Sequence, residues 1–561
     1  MFEAIMPFRV FRVSTNLLAI LVVLAPVTLI IYQSFLSGPF FQKTAHLSLK
    51  AYSFILADAD FWLALTTSLK LAVGMTLIAV PVGILLAFII VRTDVPGKRW
   101  LEPIILIPVF MSAVVLAFGY VMTLGPVGFV SLAVKSVIGY VPWNVYSVTS
   151  IAIIAGLTHV PHVYLYASAA LRNVGADLEE AARIVGAGPW RVAASVSLPM
   201  VMPVVLYAAV LVFFLGFELF GLPLVLGDPE GVLVLATYLY KLTNKLGVPS
   251  YQLMAVVVVA IIMIALPLVV LQRYMLRNAS RYVSVKGKGS RHNPIRLGAL
   301  RWPAFALVVA WFAATVIIPV GGVAIRSLVT SWGVGVNIFE VLTLDHYRDL
   351  ADYPNVVSAI VNTVGVAVIG GAASIAAYTA VALAGHRSNA PLTKVVDYVA
   401  MIPRAMPGIV AGLAMLWIFL FFKPIAPLRA TMISVWLAYT IVWFAYGMRL
   451  ISGTLLQIGK ELEEAGRSVG ASEGRVARDI TLPLIRGGMF SAWLLIFLIF
   501  AREYSTGVYL LGPGTEVIGS LMVSLWGTGA IDLVSALAVI NTVIIVTGLA
   551  VAMRFGVRLN D

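Results

Sequence analysis

The chain has 561 residues, of which 61% are hydrophobic and only 11% are charged, and its formal net charge is +13. In a soluble domain about a quarter of the residues are charged, so this composition excludes an ordinary soluble protein and indicates a protein of the lipid bilayer. The sequence contains no cysteine, which excludes disulfides, a thiol nucleophile and thiolate metal sites.

Apolar segments follow one another along the whole chain. A helix needs roughly 20 apolar residues to cross the hydrocarbon layer, and a helix satisfies its own backbone hydrogen bonds there. The sequence therefore predicts an all-α membrane protein with about twelve transmembrane helices. The predicted spans are 15–36, 63–91, 101–125, 146–170, 200–226, 251–272, 303–325, 358–385, 398–422, 430–449, 488–511 and 531–553.

The basic residues indicate how the chain crosses the membrane. Arg9 and Arg12 precede a first apolar run that lacks a small-x-small cleavage site, so we expect an uncleaved anchor and a cytoplasmic N-terminus. The segment 273–301 carries eight basic residues and no acidic one, which is typical of a cytoplasmic loop. Twelve spans return the C-terminus to the same side. Because the cations flank spans, we expect no nucleic-acid partner.

One segment occurs in both halves of the sequence. Leu178–Pro199 recurs as Leu462–Pro483 with 13 of its 22 positions identical, and weaker matches relate 67–69 to 362–364. Both copies follow the fourth span of their half, so the repeat is parallel and both loops face the cytoplasm. The predicted divisions are a first module at 1–276 with a loop at 171–199, a basic linker at 277–302, and a second module at 303–561 with a loop at 451–484.

The repeated loop has the pattern of a short amphipathic helix. In the first copy one apolar face is formed by Leu178, Ala181, Ala182 and Val185. Glu179 and Arg183 are four residues apart on the opposite side, as are Glu463 and Arg467, so we expect these pairs to face solvent.

A glycine is expected to end each of these helices, at Gly186 and at Gly470. A second short helix is predicted to run from about Pro189 or Glu473 to a Leu-Pro pair, where proline ends the helix or begins the next span. The result is a helix-turn-helix finger suited to a groove on a partner protein. The alternative is a helix resting on lipid headgroups, but two copies in register favour the finger.

The spacing Glu-Ala-Ala, three residues, Gly, nine residues, Ile, one residue, Leu-Pro resembles the signature of binding-protein-dependent ABC importer permeases. The first copy is Glu180-Ala181-Ala182, Gly186, Val196 and Leu198-Pro199, with Val at the Ile position. The second is Glu464-Ala465-Gly466, Gly470, Ile480 and Leu482-Pro483, with Gly at the third position. Because one chain holds both copies together with the segments 502–506 and 510–516, it resembles the fused two-module permeases for ferric iron. Permeases for thiamine, aminophosphonate or polyamine remain alternatives.

The resemblance implies two parallel six-helix permease modules that form a translocation pathway and work by alternating access, without being an enzyme. Its implied partners are two copies of an ABC ATPase and a periplasmic or lipid-anchored substrate-binding protein, in a bacterial or archaeal cytoplasmic membrane. The sequence has no Gly-x4-Gly-Lys-Ser/Thr loop, so we expect ATP and magnesium on the ATPase and no cofactor in this chain.

In that family the repeated loop is the coupling helix on the ATPase. The residues expected there are Glu179, Glu180, Ala181, Ala182, Gly186, Leu198, Pro199, Glu463, Glu464, Ala465, Gly466, Gly470, Leu482 and Pro483.

Four charged residues interrupt apolar runs, where a charge is costly and usually faces a cavity or a partner: Glu218, Arg404, Arg502 and Glu503. These are the candidate pore or gate residues. Glu218 and Glu503 match between the halves, so they either face each other across a pore and attract a cation, or Glu503 pairs with Arg502 or Arg404 structurally. We predict no metal site, since His159 and His162 belong to no metal-binding motif.

Two other classes of protein fit less well. A twelve-span secondary transporter explains the number of spans but not the repeated loops. A membrane-bound enzyme needs a cluster of acidic residues or histidines near one membrane face, and the sequence shows none.

Overall fold

The structure is a computed structural model that describes residues 2–174, 176–244, 249–279, 294–333, 335–400, 402–403 and 406–555. These ranges contain helices and three isolated single-residue bridges, and no sheet. The helices of the first half are α1 (Phe2–Ser34), α2 (Lys50–Ala57), α3 (Ala59–Arg92), α4 (Lys98–Phe110), α5 (Ala113–Leu124), α6 (Phe129–Ile138), α7 (Val148–Asn173), α8 (Ala176–Ile184), α9 (Pro189–Val192), α10 (Leu198–Glu218), α11 (Leu235–Asn244) and α12 (Tyr251–Ala279).

The second half repeats this order. Its helices are α13 (Arg301–Phe312), α14 (Ile318–Arg326), α15 (Asp345–Asp352), α16 (Val356–Gly365), α17 (Gly371–Gly385), α18 (Pro391–Val399), α19 (Gly408–Phe421), α20 (Met432–Val442), α21 (Phe444–Leu456), α22 (Lys460–Ser468), α23 (Glu473–Val476), α24 (Leu482–Arg502), α25 (Ile518–Gly527) and α26 (Ile531–Arg554). The all-α class is confirmed.

Within the described ranges, ten helices are long and apolar enough to cross a membrane, or eleven if one bent pair counts as a span. This agrees roughly with the predicted twelve. The predicted span 398–422 is represented by the 14 residues of α19, and the short helix Lys423–Ala430 that follows meets α20 at a bend of 100°. The predicted span 101–125 is broken between α4 and α5 at Met111 and Ser112.

The described chain forms two compact units, which do not coincide with the two consecutive halves. Unit one consists of Met1–Ala57, Lys241–Ile262 and Arg348–Val557, and within it α1 packs against α17, α18 and α19. Unit two consists of Asp58–Tyr240 and Met263–Tyr347, and within it α14 packs against α5. Each unit therefore includes the first span of the opposite half. The predicted divisions at 276 and 303 stay a prediction, and 280–293 of the linker lie outside the described residues.

Small residues allow the helices of unit two to approach closely. A Cβ on Gly83 of α3 would lie 2.6 Å from Val163 of α7, and one on Gly156 of α7 would lie 2.7 Å from Ile78. Glycines at such contacts are typical of helices that associate in lipid, where burying apolar surface gives no driving force between helices.

A matched pair of hydrogen bonds relates the two halves. In unit two the backbone N–H of Leu235, which begins α11, donates to Oγ of Ser68 at 2.9 Å. In unit one the backbone N–H of Ile518, which begins α25, donates to Oγ1 of Thr363 at 2.9 Å. Both hydroxyls lie on the second span of their half, and each satisfies a backbone donor that a helix start leaves unpaired.

Candidate functional site

The repeated loops form two similar fingers. The first finger consists of α8, a turn at Gly186 and α9, and the second consists of α22, a turn at Gly470 and α23. The two glycines have φ of +85° and +87°, a conformation that favours glycine. After them Ala187 N donates to Ala182 O at 3.0 Å, and Ala471 N donates to Gly466 O at 3.1 Å. The prediction that these glycines end the first finger helices is confirmed.

The second arm of each finger begins where the sequence predicts, at Pro189 and at Glu473. α9 continues into α10 through a widened turn at Ala193–Ser197, and α23 continues into α24 through one at Ala477–Thr481. Proline has no N–H to donate to a normal helical turn, and the widened turn lets the helix continue past it. Of the two alternatives left open for the proline, it does not end the second helix, which continues into the next span: the fifth and eleventh spans extend into the fingers as Trp190–Glu218 and Glu473–Arg502.

Glu179 does not face solvent as predicted. Glu179 is 8% exposed. Its carboxylate accepts hydrogen bonds from the guanidinium of Arg92: Nη2 lies 3.1 Å from Oε1, and Nη1 lies 3.4 Å from Oε2. The hydroxyl of Ser197 donates to Oε1 at 2.7 Å. Glu179 thus connects the first finger helix to the end of α3 and to the start of α10.

Glu463 occupies the same environment in the second finger and is 4% exposed. Its carboxylate lies 3.0 Å from NH1 of Arg387 and 2.9 Å from Nε2 of His386, and the hydroxyl of Thr481 donates to it at 3.3 Å. Arg467, the predicted solvent-facing partner, is 4.0 Å away. The solvent-facing prediction is wrong for both glutamates because each has a basic partner at or just after the end of the second span.

Exposed residues on the fingers include the next glutamate of each repeat. Glu180, Ala181, Glu464 and Ala465 are exposed. Beyond them Ile184, Val185 and Val469 are 85%, 83% and 84% exposed. Leu178 and Arg183 of the predicted faces have side chains outside the described part of the structure. The exposed surface therefore combines one carboxylate with small and apolar side chains.

Other predicted coupling residues lie where the finger helices meet. Ala182 is half-buried and Gly466 is buried, and a Cβ on Gly466 would lie 2.7 Å from Cδ1 of Ile480. Leu198, Pro199 and Pro483 are exposed and Leu482 is half-buried, all at the start of a span.

The second finger contacts the N-terminal part of α1, and the end of the linker contacts the end of α3. In unit one Arg12 of α1 pairs with Glu473 of the second finger at 3.3 Å. In unit two Ile295 N donates to Arg92 O at 2.8 Å, and Leu297 N donates to an oxygen of Asp94 at 2.8 Å. The end of the linker is therefore fixed to the last residue of α3, which is the partner of Glu179, and to the loop that follows it.

The candidate pore residues lie at helix ends. Glu218 is the last residue of α10 and Arg502 the last of α24. Oε1 of Glu503 accepts from Ser505 Oγ at 2.8 Å, Thr506 N at 3.1 Å and Thr506 Oγ1 at 3.0 Å. Glu503 thus fixes the turn that follows α24, a structural contact that the sequence reading assigned to Arg502 or Arg404. Arg404 lies outside the described residues, and the pore role of all four residues stays a prediction.

The histidines of α7 stack on each other. The rings of His159 and His162 have centroids 5.3 Å apart, and Nδ1 of His159 lies 2.8 Å from the carbonyl oxygen of Ala155. In the part of the chain that the structure describes, no group of three or more His, Cys, Asp or Glu is arranged to hold a metal ion.

Comparison with known families accounts for the repeated fingers. The family model described as "Binding-protein-dependent transport system inner membrane component" matches residues 79–281 and 372–561, and each match contains one finger. The chain belongs to this family. Two matches in one chain confirm the fused two-module arrangement and a multi-pass protein of the inner-membrane type.

Several curated relatives are similar to this family member. The "Putative ferric transport system permease protein FbpB 1" of Haemophilus influenzae is 24% identical over 73% of this chain and 64% of its own length. The "Molybdenum transport system permease protein ModB" of Escherichia coli is 30% identical over 30% of this chain and 72% of its own length. The "Putrescine transport system permease protein PotI" of Escherichia coli is 30% identical over 24% of this chain and 49% of its own length. The chain thus spans less than two thirds of the first of these relatives.

A solved bacterial ABC transporter involved in the import of the acidic polysaccharide alginate contains a chain that is 17% identical to this family member. The match covers 46% of this chain and 96% of that chain, with a TM-score of 0.36. A similarity of this degree adds nothing to the family assignment.

The basic partners of the two finger glutamates, Arg92 and Arg387, were not identified from the sequence; Arg92 is buried, and the side chain of Arg387 is 22% exposed. Arg92 is the last residue of α3 and Arg387 lies two residues after the end of α17, and the two are 295 residues apart, as are Ser68 and Thr363. This shared spacing was a signal that could have identified them. A single arginine at the end of a span otherwise looks like any cytoplasmic flanking charge.

Proposed function

We propose that this chain is the membrane permease subunit of an ATP-driven importer, in which it forms the translocation pathway. The observation that carries the proposal is the presence of two fingers of the same construction in two family-matched modules. Each finger exposes a carboxylate beside small and apolar side chains, which suits docking into a groove on a partner.

The partners follow from the two fingers. We assign one ATPase subunit to each, with Glu180 and Glu464 meeting basic or polar groups on it, and ATP and magnesium bound by the ATPase. A periplasmic or lipid-anchored binding protein delivers the substrate. The protein works by alternating access in a bacterial or archaeal cytoplasmic membrane, with both termini in the cytoplasm.

Ferric iron is the substrate we propose. The relative named for ferric transport aligns over 73% of this chain, whereas the molybdenum and putrescine relatives align over 30% and 24%. The longer alignment supports the ferric assignment. The two shorter alignments support neither the two-module arrangement nor a particular substrate. Thiamine, aminophosphonate and polyamine remain the alternative substrates.

Uptake into proteoliposomes tests the proposal. The chain is reconstituted with its ATPase and its binding protein, and labelled Fe³⁺, molybdate or putrescine is supplied outside. We expect Fe³⁺ to accumulate inside the proteoliposomes only when ATP is supplied on the side of the membrane that carries the ATPase. Accumulation of another substrate would replace the ferric assignment, and uptake that follows an ion gradient without ATP would replace the importer.

A further inference from the structure

The buried glutamates of the fingers belong to two clusters of the same composition. We call Arg92, Glu179 and Ser197 the first clamp, and Arg387, Glu463 and Thr481 the second clamp. The arginines are 295 residues apart, and the glutamates and the hydroxyl residues are each 284 residues apart. Both clamps therefore contain an arginine, a glutamate and a hydroxyl residue, and in the second clamp His386 also contacts Glu463.

Each clamp arginine also contacts the chain just before its finger. Arg92 NH2 donates to Leu171 O at 2.8 Å, near the end of α7. Arg387 NH2 donates to Ile458 O at 3.0 Å, between α21 and α22. A clamp thus joins four parts of its half: the second span, the end of the fourth span, the first finger helix and the start of the fifth span.

The chemistry of the clamp makes it rigid. Removing a carboxylate and a guanidinium from water is costly, and the cost is offset only when geometry is good and the remaining polar atoms are hydrogen-bonded. Arg92 meets both oxygens of Glu179, and a planar guanidinium held by two contacts fixes the direction as well as the distance. In the first clamp this buried two-point contact fixes the angle between finger and span. In the second clamp Arg387 and His386 each contact the buried carboxylate of Glu463.

We propose that Arg92 and Arg387 are positioning residues that make each finger and the cytoplasmic end of the second span in the same half one rigid body. A finger displaced by the ATPase then carries that span with it. This proposal rests on the proposed function, because it requires a partner that moves the fingers.

Because the sequence contains no cysteine, single cysteines can be introduced at chosen positions and labelled specifically. Spin labels are placed at Gly188→Cys on the first finger, where the residue is exposed and no atom lies near its Cβ position, and at Leu77→Cys on the exposed side of α3. The label-to-label distance is measured by pulsed electron resonance in the complex with the ATPase, with and without ATP. We expect the native distance distribution to remain the same in both states.

In variants of the first clamp, the label-to-label distance should no longer be the same with and without ATP. Arg92→Lys keeps the charge but not the two-point contact, and Arg92→Met with Glu179→Leu removes both buried charges together, which preserves folding better than removing one. For both variants we expect the distribution to shift or broaden when ATP is added, while the ATPase still co-purifies. Arg191→Lys, the same substitution at an exposed arginine of the same finger, should behave as the native protein does.

Two results would overturn the clamp proposal. One is a native distance that changes with ATP, and the other is a clamp variant whose distance stays as constant as that of the native protein. If the native chain does not bind the ATPase at all, the proposed function fails, and this outcome is distinguishable because no variant is needed to see it.

Discussion

A methyl group on Gly466 would lie 2.7 Å from Cδ1 of Ile480, closer than side-chain carbons pack. The corresponding residues of the first finger are Ala182 and Val196. The second finger therefore has one carbon fewer on one helix and one carbon more on the other. This exchange gives a physical reason for the glycine that departs from the Glu-Ala-Ala pattern.

The exchange predicts that a second substitution restores the stability lost in Gly466→Ala. Gly466→Ala should lower the stability of the protein by about 1 to 3 kcal/mol, because it adds volume to a closely packed contact. Adding Ile480→Val should restore most of the loss, since the second finger then has the pair found in the first. Thermal unfolding in detergent of the two single variants and the double variant measures this. Equal losses in Gly466→Ala and in the double variant would contradict the packing explanation.

The finger turns predict a pure backbone effect. Gly186→Ala and Gly470→Ala should each cost about 1 to 2 kcal/mol, because a Cβ is strained at positive φ even in open space. Gly188→Ala is the matched control, since it also has open space around its Cβ position and lacks a positive φ. The unfolding temperature should fall for the first two variants only, and a similar fall for Gly188→Ala would argue against the strain.

Adjacent glutamates should separate folding from docking. Glu179→Ala leaves Arg92 buried without its carboxylate, and breaking a buried pair in this way costs about 3 to 5 kcal/mol. Glu180→Ala removes an exposed side chain and should change stability by no more than about 0.5 kcal/mol. Thermal unfolding of the two variants measures the contrast. If Glu180→Ala is the more damaging to stability, our assignment of the buried and exposed glutamates is wrong.

The helix class, the repeated fingers and the turn glycines could be predicted from the sequence because each depends on local pattern. Apolar length predicts spans, and a glycine after a short amphipathic helix predicts its end. The burial of Glu179 and Glu463 could not be predicted in this way, since their basic partners are 87 and 76 residues away in the sequence. An i, i+4 charge pattern indicates solvent only when no other element supplies a counter-charge.

The sequence left two roles open for the proline of each Leu-Pro pair, ending the second finger helix or beginning the next span. A proline within a helix usually ends or kinks it, but the chain absorbs Pro199 and Pro483 by widening the preceding turn. Tertiary packing of the following span keeps the helix continuous. Only the three-dimensional arrangement shows that the second arm of each finger is part of a span.

The turn that Glu503 fixes lies against α19, and this contact predicts that replacing Gly412 lowers the stability of the protein. A Cβ on Gly412 of α19 would overlap the backbone oxygen of Thr506, and a backbone atom cannot move aside as a side chain can. Gly412→Ala should therefore cost about 3 kcal/mol. Gly453→Ala, in α21 with open space around it, should instead raise stability by about 0.5 to 1 kcal/mol. An unchanged unfolding temperature for Gly412→Ala would show that the turn can move away from α19.

We propose that the two fingers transmit the work of an ATPase to the spans. The most direct measurement compares co-purification with the ATPase and stimulated ATP hydrolysis for the native chain and for Glu180→Ala combined with Glu464→Ala, with exposed Glu461→Ala as the control on the second finger. We predict that association or coupled hydrolysis collapses in the double variant while its unfolding temperature stays near that of the native chain. A double variant that binds and stimulates the ATPase as the native chain does would contradict the account.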